Sequence, residues 1–192
     1  MSRWVAFATV TVAAVLAARA HGQEVDTRSL DAFRNVAIVL ASPRCVNCHI
    51  SGDAPLQGDD SHTHAMQIKR GRDGRGTPAA QCRACHQTKN TLVPHGPPGV
   101  DGWRLPPPES RMAWHGLSAA AVCRNLKDPA QTGGRSLQQL VQHVSDDHLV
   151  QWGWDPGPGR TAPPISHEEF VAAFKTWVQG DAPCPIAEGV AR

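Results

Sequence analysis

No apolar run in this sequence is long enough to cross a bilayer. The longest, Trp4 to Ala17, holds 14 residues without a charge, against the ~20 that a spanning helix needs. It follows a short basic start, Met1-Ser2-Arg3, and precedes Ala18-Arg19-Ala20, an A-x-A cleavage site. These three parts predict a secretory signal over residues 1–20, cleavage near Ala20 and a periplasmic mature chain. Nor does the chain carry an excess of either charge. Of 19 basic residues the leader takes Arg3 and Arg19, which leaves 17 against 17 acidic residues. That balance excludes the positive surface on which nucleic-acid binding rests, and a polybasic membrane anchor with it. No dinucleotide loop is present either. The one basic glycine-rich string, Lys69 to Gly76, has the wrong glycine order and no strand before it. It reads as a solvated loop.

What the chain does have is Cys-x-x-Cys-His twice, at Cys45-Val46-Asn47-Cys48-His49 and at Cys82-Arg83-Ala84-Cys85-His86. This is the attachment motif of c-type haem. Two thiols can form thioethers to the haem vinyl groups, and the following His can ligate the iron. Histidine makes up 10 of 192 residues, so two chance His residues behind two Cys pairs have odds of roughly one in four hundred. A zinc ribbon also uses paired Cys-x-x-Cys. Here, however, 33 residues separate Cys48 from Cys82, against the ~15–20 usual for such a site. The cofactors expected are therefore two covalent haems c. Cys45, Cys48, Cys82 and Cys85 would be the thioether residues, and His49 and His86 the proximal iron ligands. An arginine of the 69–76 string could pair with a propionate or an acidic docking face.

The sixth ligands remain open at this stage. His62, His64 and Met66 follow the first motif and alternate, so an extended segment presents all three on one side. His95, Met112 and His115 follow the second. For the first haem His64 ranks first with Met66 as alternative; for the second, His95 ranks first with Met112 as alternative. A loop serving the other haem is also compatible with the spacing. His143 and His148, five apart on one expected helix, would lie on different faces.

The fold class expected is mainly α: a loop-rich dihaem part over 24–116 and a helical part over 117–192, packed together. Proline (16) and glycine (17) concentrate between Gly52 and Gly116, which disfavours a helix-packed core there. A helix is expected over Thr27–Ala41, with Leu30, Phe33, Val36, Ala37 and Leu40 at helical spacing and Asp26 or Thr27 as cap. Three more follow. Ser118 caps Ala119–Lys127. Ser136 caps a segment reaching about Asp147. Ser166 with Glu169 forms a capping box before Phe170, Phe174 and Trp177. Trp152 to Arg160 reads as a turn-rich loop whose two tryptophans give apolar cover. The two remaining cysteines, Cys123 and Cys184, suggest a disulfide in an exported chain.

The segments CVNCH, PLQGDD with His-x-His-x-Met, RGxxGxG, CRACH, CRNLKDP and WGWDPG together resemble a family of small exported bacterial dihaem cytochromes c. Its members are often labelled as cytochrome subunits of an isoquinoline 1-oxidoreductase type system. The resemblance covers Cys45 to Cys184. It implies an electron acceptor for a periplasmic dehydrogenase of the molybdenum hydroxylase type, which passes electrons to another cytochrome or an oxidase. The competing class is a dihaem peroxidase-like enzyme, which needs one iron with an open position and a distal acid or base. Electron transfer alone needs neither, and no catalytic side chain is assigned.

Overall fold

Residues 27–66 and 68–186 are described by the computed structural model of the chain. The expected leader, the cleavage site at Ala20 and the cap at Asp26 lie outside these described residues. Helix accounts for 41% and strand for 6%, so the architecture is mainly helical.

Helix α1 spans residues 27–40. Its apolar spacing turns Phe33, Val36 and Leu40 inward, and Val39 joins them. Pro43 then opens the one-turn helix α2, Pro43–Val46, which carries the first motif. The stretch from 50 to 116 holds two small antiparallel hairpins. One pairs β1, Leu56–Gln57, with β2, His62–Thr63. The other pairs β3, Gly76–Thr77, with β4, Ala80–Gln81. The second motif begins as a 3-10 turn at Cys82–Ala84.

The helical part follows its caps. Ser118 accepts from the Ala121 amide and opens α3, Ala119–Lys127. Asp128 caps the short α4, Pro129–Thr132. Ser136 and Gln139 form a reciprocal capping box on α5, Leu137–Asp146. Ser166 and Glu169 do the same for α7, His167–Gln179. Each box satisfies amides that the first turn of a helix leaves without partners. Between α5 and α7 the expected loop is present from Gly153 to Arg160, and the structure adds one short helix before it. Asp147 ends one helix and caps the next, α6, His148–Trp152, by accepting from the Leu149 amide. His143 and His148 therefore belong to two helices.

The core is built from α1, α3, α5 and α7: Phe33, Val122, Leu140, Phe170, Phe174 and Trp177 are all buried. Trp177 is fully buried, edge-on to Phe174 and tilted against Phe33. Val46, Met112 and Trp114, from the loop-rich part, enter the same apolar cluster. The Ser29 hydroxyl donates to the Trp177 carbonyl, which fastens the first helix to the last.

The 69–76 string corrects another expectation. Arg70 is fully buried, not solvated. Its guanidinium donates to the carbonyls of Ile50 (3.2 Å), Gly52 (3.0 Å) and Pro106. Gly74 holds left-handed backbone (φ 79°), and any Cβ there would sit 1.9 Å from the Leu105 carbonyl oxygen. That approach allows Leu105 to donate its amide to the Gly74 carbonyl.

Cys123 and Cys184 form a disulfide with Cα atoms 5.6 Å apart. It ties the segment after α7 to α3. Replacing both cysteines with serine should lower stability by about 2–5 kcal/mol, read as a shift of the urea midpoint at unchanged slope.

Candidate functional site

The first motif lies where α2 meets the helical core. The amides of Cys48 and His49 both return to the Cys45 carbonyl, so a single tight turn sets the two thiols and the imidazole side by side. All three residues line one largely apolar cavity. The opposite lining comes from Leu40, Leu140, Val144, Trp154, Phe170 and Phe174. The cavity holds about 1160 Å³ of space not filled by atoms, its open mouth included.

The segment 111–115 clamps His49. Its Nδ1 is 3.1 Å from the carbonyl oxygens of both Arg111 and Met112, and therefore carries the proton. The chain passes through left-handed backbone at Met112 (φ 45°) as it makes this contact. The amide of Trp114 donates to the His49 carbonyl at 2.9 Å. The Trp114 ring stacks on the imidazole at 3.9 Å and 19°, and its Nε1 donates to Asn125 on α3. Burial lowers the His49 pKa to about 4, so the ring is neutral around pH 7. With Nδ1 committed, Nε2 is the nitrogen left to bind a metal. Burial also pushes the Cys45 thiol up to about 12 and the Cys48 thiol up to about 11.

The second motif repeats this arrangement at the surface. The His86 amide returns to the Cys82 carbonyl, and Nδ1 lies 2.8 Å from the Pro98 carbonyl oxygen. Trp103 stacks on His86 at 4.4 Å and 3°, and meets Trp152 edge-on at 4.8 Å. Burial lowers the His86 pKa. Cys82 is half-buried and Cys85 is exposed. Beside Trp103 a groove is lined by Arg72, Arg75, Thr77, Pro78 and Arg83. Trp103 also lines the first cavity, so the two sites share it as a wall.

These features fit haem. Each motif sets two free thiols beside a neutral His whose Nε2 is available. Arg44 lines the first cavity and donates to Asp59 (2.7 Å) and to the Gly58 carbonyl. Its Nε is buried without a partner, a donor that a propionate oxygen would satisfy. Among the described residues no three His, Cys, Asp or Glu side chains converge as a cage for a bare ion. The four free cysteines therefore do not make the zinc arrangement that paired Cys-x-x-Cys would otherwise suggest.

The distal candidates fall in different places. His64 is half-buried, and its ring neighbour is His86 at 6.1 Å, in the second site. His95 is exposed, donates its amide to the Pro158 carbonyl and packs on Gly159. Met66 is 69% exposed. Met112 is buried and lines the first cavity, but its carbonyl is already engaged by His49. His62 pairs with Asp60 at the surface. His143, which the sequence reading named but did not rank, lines the first cavity together with Asp147. Its Nδ1 lies 3.5 Å from the Asp147 carboxylate. The His-x-x-x-Asp spacing on one helix was the available signal.

No family model, curated protein or solved structure matches the chain.

Arg70 supports the first site from behind, since Ile50 and Gly52 follow His49 directly. Truncation to alanine would leave the buried Ile50 carbonyl and the part-buried Pro106 carbonyl without this donor, at ~1–3 kcal/mol for a buried group. Arg70→Ala should destabilise by about 1–3 kcal/mol in urea unfolding, and Arg70→Lys, which keeps the charge but loses the planar fork, by less.

Proposed function

We propose that this chain is an exported dihaem c-type cytochrome that carries electrons in the periplasm. One observation carries the reading. At both Cys-x-x-Cys-His motifs the histidine Nδ1 is held by a main-chain carbonyl, 3.1 Å at His49 and 2.8 Å at His86. Nε2 is thereby left free beside two unpaired thiols. A carbonyl behind the ring fixes its tautomer and raises its basicity toward a metal.

In this reading Cys45 and Cys48 anchor one haem and Cys82 and Cys85 the other, with His49 and His86 as proximal ligands. The bound group supplies a one-electron iron couple. The chain supplies orientation, burial and hydrogen bonding, which together set the potential. Trp114 and Trp103 keep the two imidazoles from rotating. Leu140, Val144, Phe170 and Phe174 exclude water from the first site. Arg44 and the Arg72, Arg75 and Arg83 groove offer cations for propionates. No side chain has to move a proton.

The donor proposed is a periplasmic dehydrogenase of the molybdenum hydroxylase type, and the acceptor another cytochrome or an oxidase. Among the described residues no helix is long and apolar enough to cross a membrane.

The reading is tested by expression in a host that matures c-type haem. The processed chain should gain roughly 1.2 kDa, twice the mass of one covalent haem, and stain for haem after denaturing electrophoresis. Cys45→Ala with Cys48→Ala should halve the haem content, and so should Cys82→Ala with Cys85→Ala. A colourless chain of unmodified mass would overturn the reading.

A further inference from the structure

We propose that the two irons take their sixth ligands from histidines remote from their own motifs: His143 on α5 at the first site, and His64, carried by the first motif's hairpin, at the second. The inference rests on the dihaem reading above and deepens it. Both centres are then bis-histidine, and one haem's loop closes the other haem's site.

At the first site His49 and His143 are the two histidines of the cavity lining. α5 is held by buried Leu140, Val141 and Val144, which fixes the His143 backbone against the cavity. The His143 side chain is 26% exposed, and its Nδ1 faces Asp147 at 3.5 Å. A carboxylate at Nδ1 is the partner that commonly orients a metal-binding imidazole and leaves Nε2 to the metal. Asp147 is itself held: it accepts from the Leu149 amide at 2.8 Å and lies 3.9 Å from Arg104. The rival, Met112, is less suitably placed. Its own carbonyl accepts from His49 Nδ1, so its backbone lies behind the proximal ring.

A separate observation carries the second site. The rings of His64 and His86 are 6.1 Å apart between centroids and inclined at 49°. Two imidazoles bound to opposite sides of one metal, with bonds of about 2.0–2.1 Å, have centroids about 6 Å apart. His86 Nδ1 donates to the Pro98 carbonyl, which leaves its Nε2 as the acceptor nitrogen. The Met66 amide lies 3.3 Å from His64 Nδ1; binding a metal through His64 Nε2 moves the ring proton to Nδ1 and releases that long contact. Burial lowers the pKa of His64, which favours the neutral ring. His64 is positioned from the first motif: its amide donates to the Pro55 carbonyl, and the neighbouring Leu56 amide donates to the Asn47 carbonyl at 3.0 Å. His95, nearer in sequence to the second motif, makes no ring contact with His86 and is turned onto Gly159.

The test uses the mature holoprotein and spectroscopy of its ferric and ferrous forms. The wild type should show two low-spin ferric centres, no thioether-to-iron charge-transfer band and no carbon monoxide binding. His143→Ala and His64→Ala should each make one haem high-spin and raise carbon monoxide uptake from none to one per chain, and added imidazole should restore the low-spin form. Haem-deletion backgrounds assign each effect. His143→Ala should act when only the first motif is intact, and His64→Ala when both motifs are present but not when the second is deleted. His64→Met should raise one midpoint potential and leave the other in place, since a thioether ligand favours the reduced iron. His95→Ala should leave both centres low-spin. A thioether-to-iron band in the wild type, two low-spin centres in either His→Ala variant, or loss of a low-spin centre in His95→Ala would overturn the assignment. That result is distinct from failure of the dihaem reading, in which the wild type would bind no haem at all.

Discussion

The grip of residues 111–115 on His49 is the contact on which the arrangement turns. Two carbonyls fix one ring nitrogen, an indole covers one ring face, and a main-chain hydrogen bond fixes the backbone. Three kinds of restraint meet on one side chain, so it has little rotamer freedom to lose when it binds a metal. The same segment is joined to the helical part through Trp114 and Asn125. Motif, clamp and helix α3 therefore form one mechanical unit, although 75 residues separate His49 from Asn125 in sequence.

The loop-rich half is held together by means other than a conventional core. Its strands are two residues long, and hairpins of that length do not stand alone in water. Buried Arg70 substitutes for a core by gathering carbonyls from two loops, and Arg44 does the same near Gly58 and Asp59. Burying a guanidinium is costly unless its donors are used; Arg70 uses three and Arg44 two, and Nε of each is buried without a partner.

Much of the helical half was legible in the sequence, because caps and apolar periodicity are local signals. Ser118, Ser136 and Ser166 start α3, α5 and α7 where their side chains can reach the third amide. α6 was less legible: one aspartate, Asp147, serves as the end of one helix and the cap of the next, and composition alone reads the following Trp-Gly-rich stretch as loop. The motif residues were legible because two cysteines and a histidine within five positions are a local pattern. The burial of Arg70 was not, since a basic glycine-rich string gives no sign that distant carbonyls converge on it. His143 could not be ranked for a related reason: 93 residues separate it from His49, and only the packing of α5 against the cavity brings it there. For His64 the residue was legible as a candidate, but the site it lies in was not.

The protonated thiols of the first motif bear on how such a chain would be assembled. Thiolate, not thiol, is the reactive form of cysteine, and in the folded chain burial keeps Cys45 and Cys48 almost wholly as thiols. On the proposed reading, thioether formation is favoured while the segment is still open, before the helical half docks and suppresses the thiolate form. The same shift shields the Cys123–Cys184 bond, because thiols held protonated exchange with a disulfide only slowly.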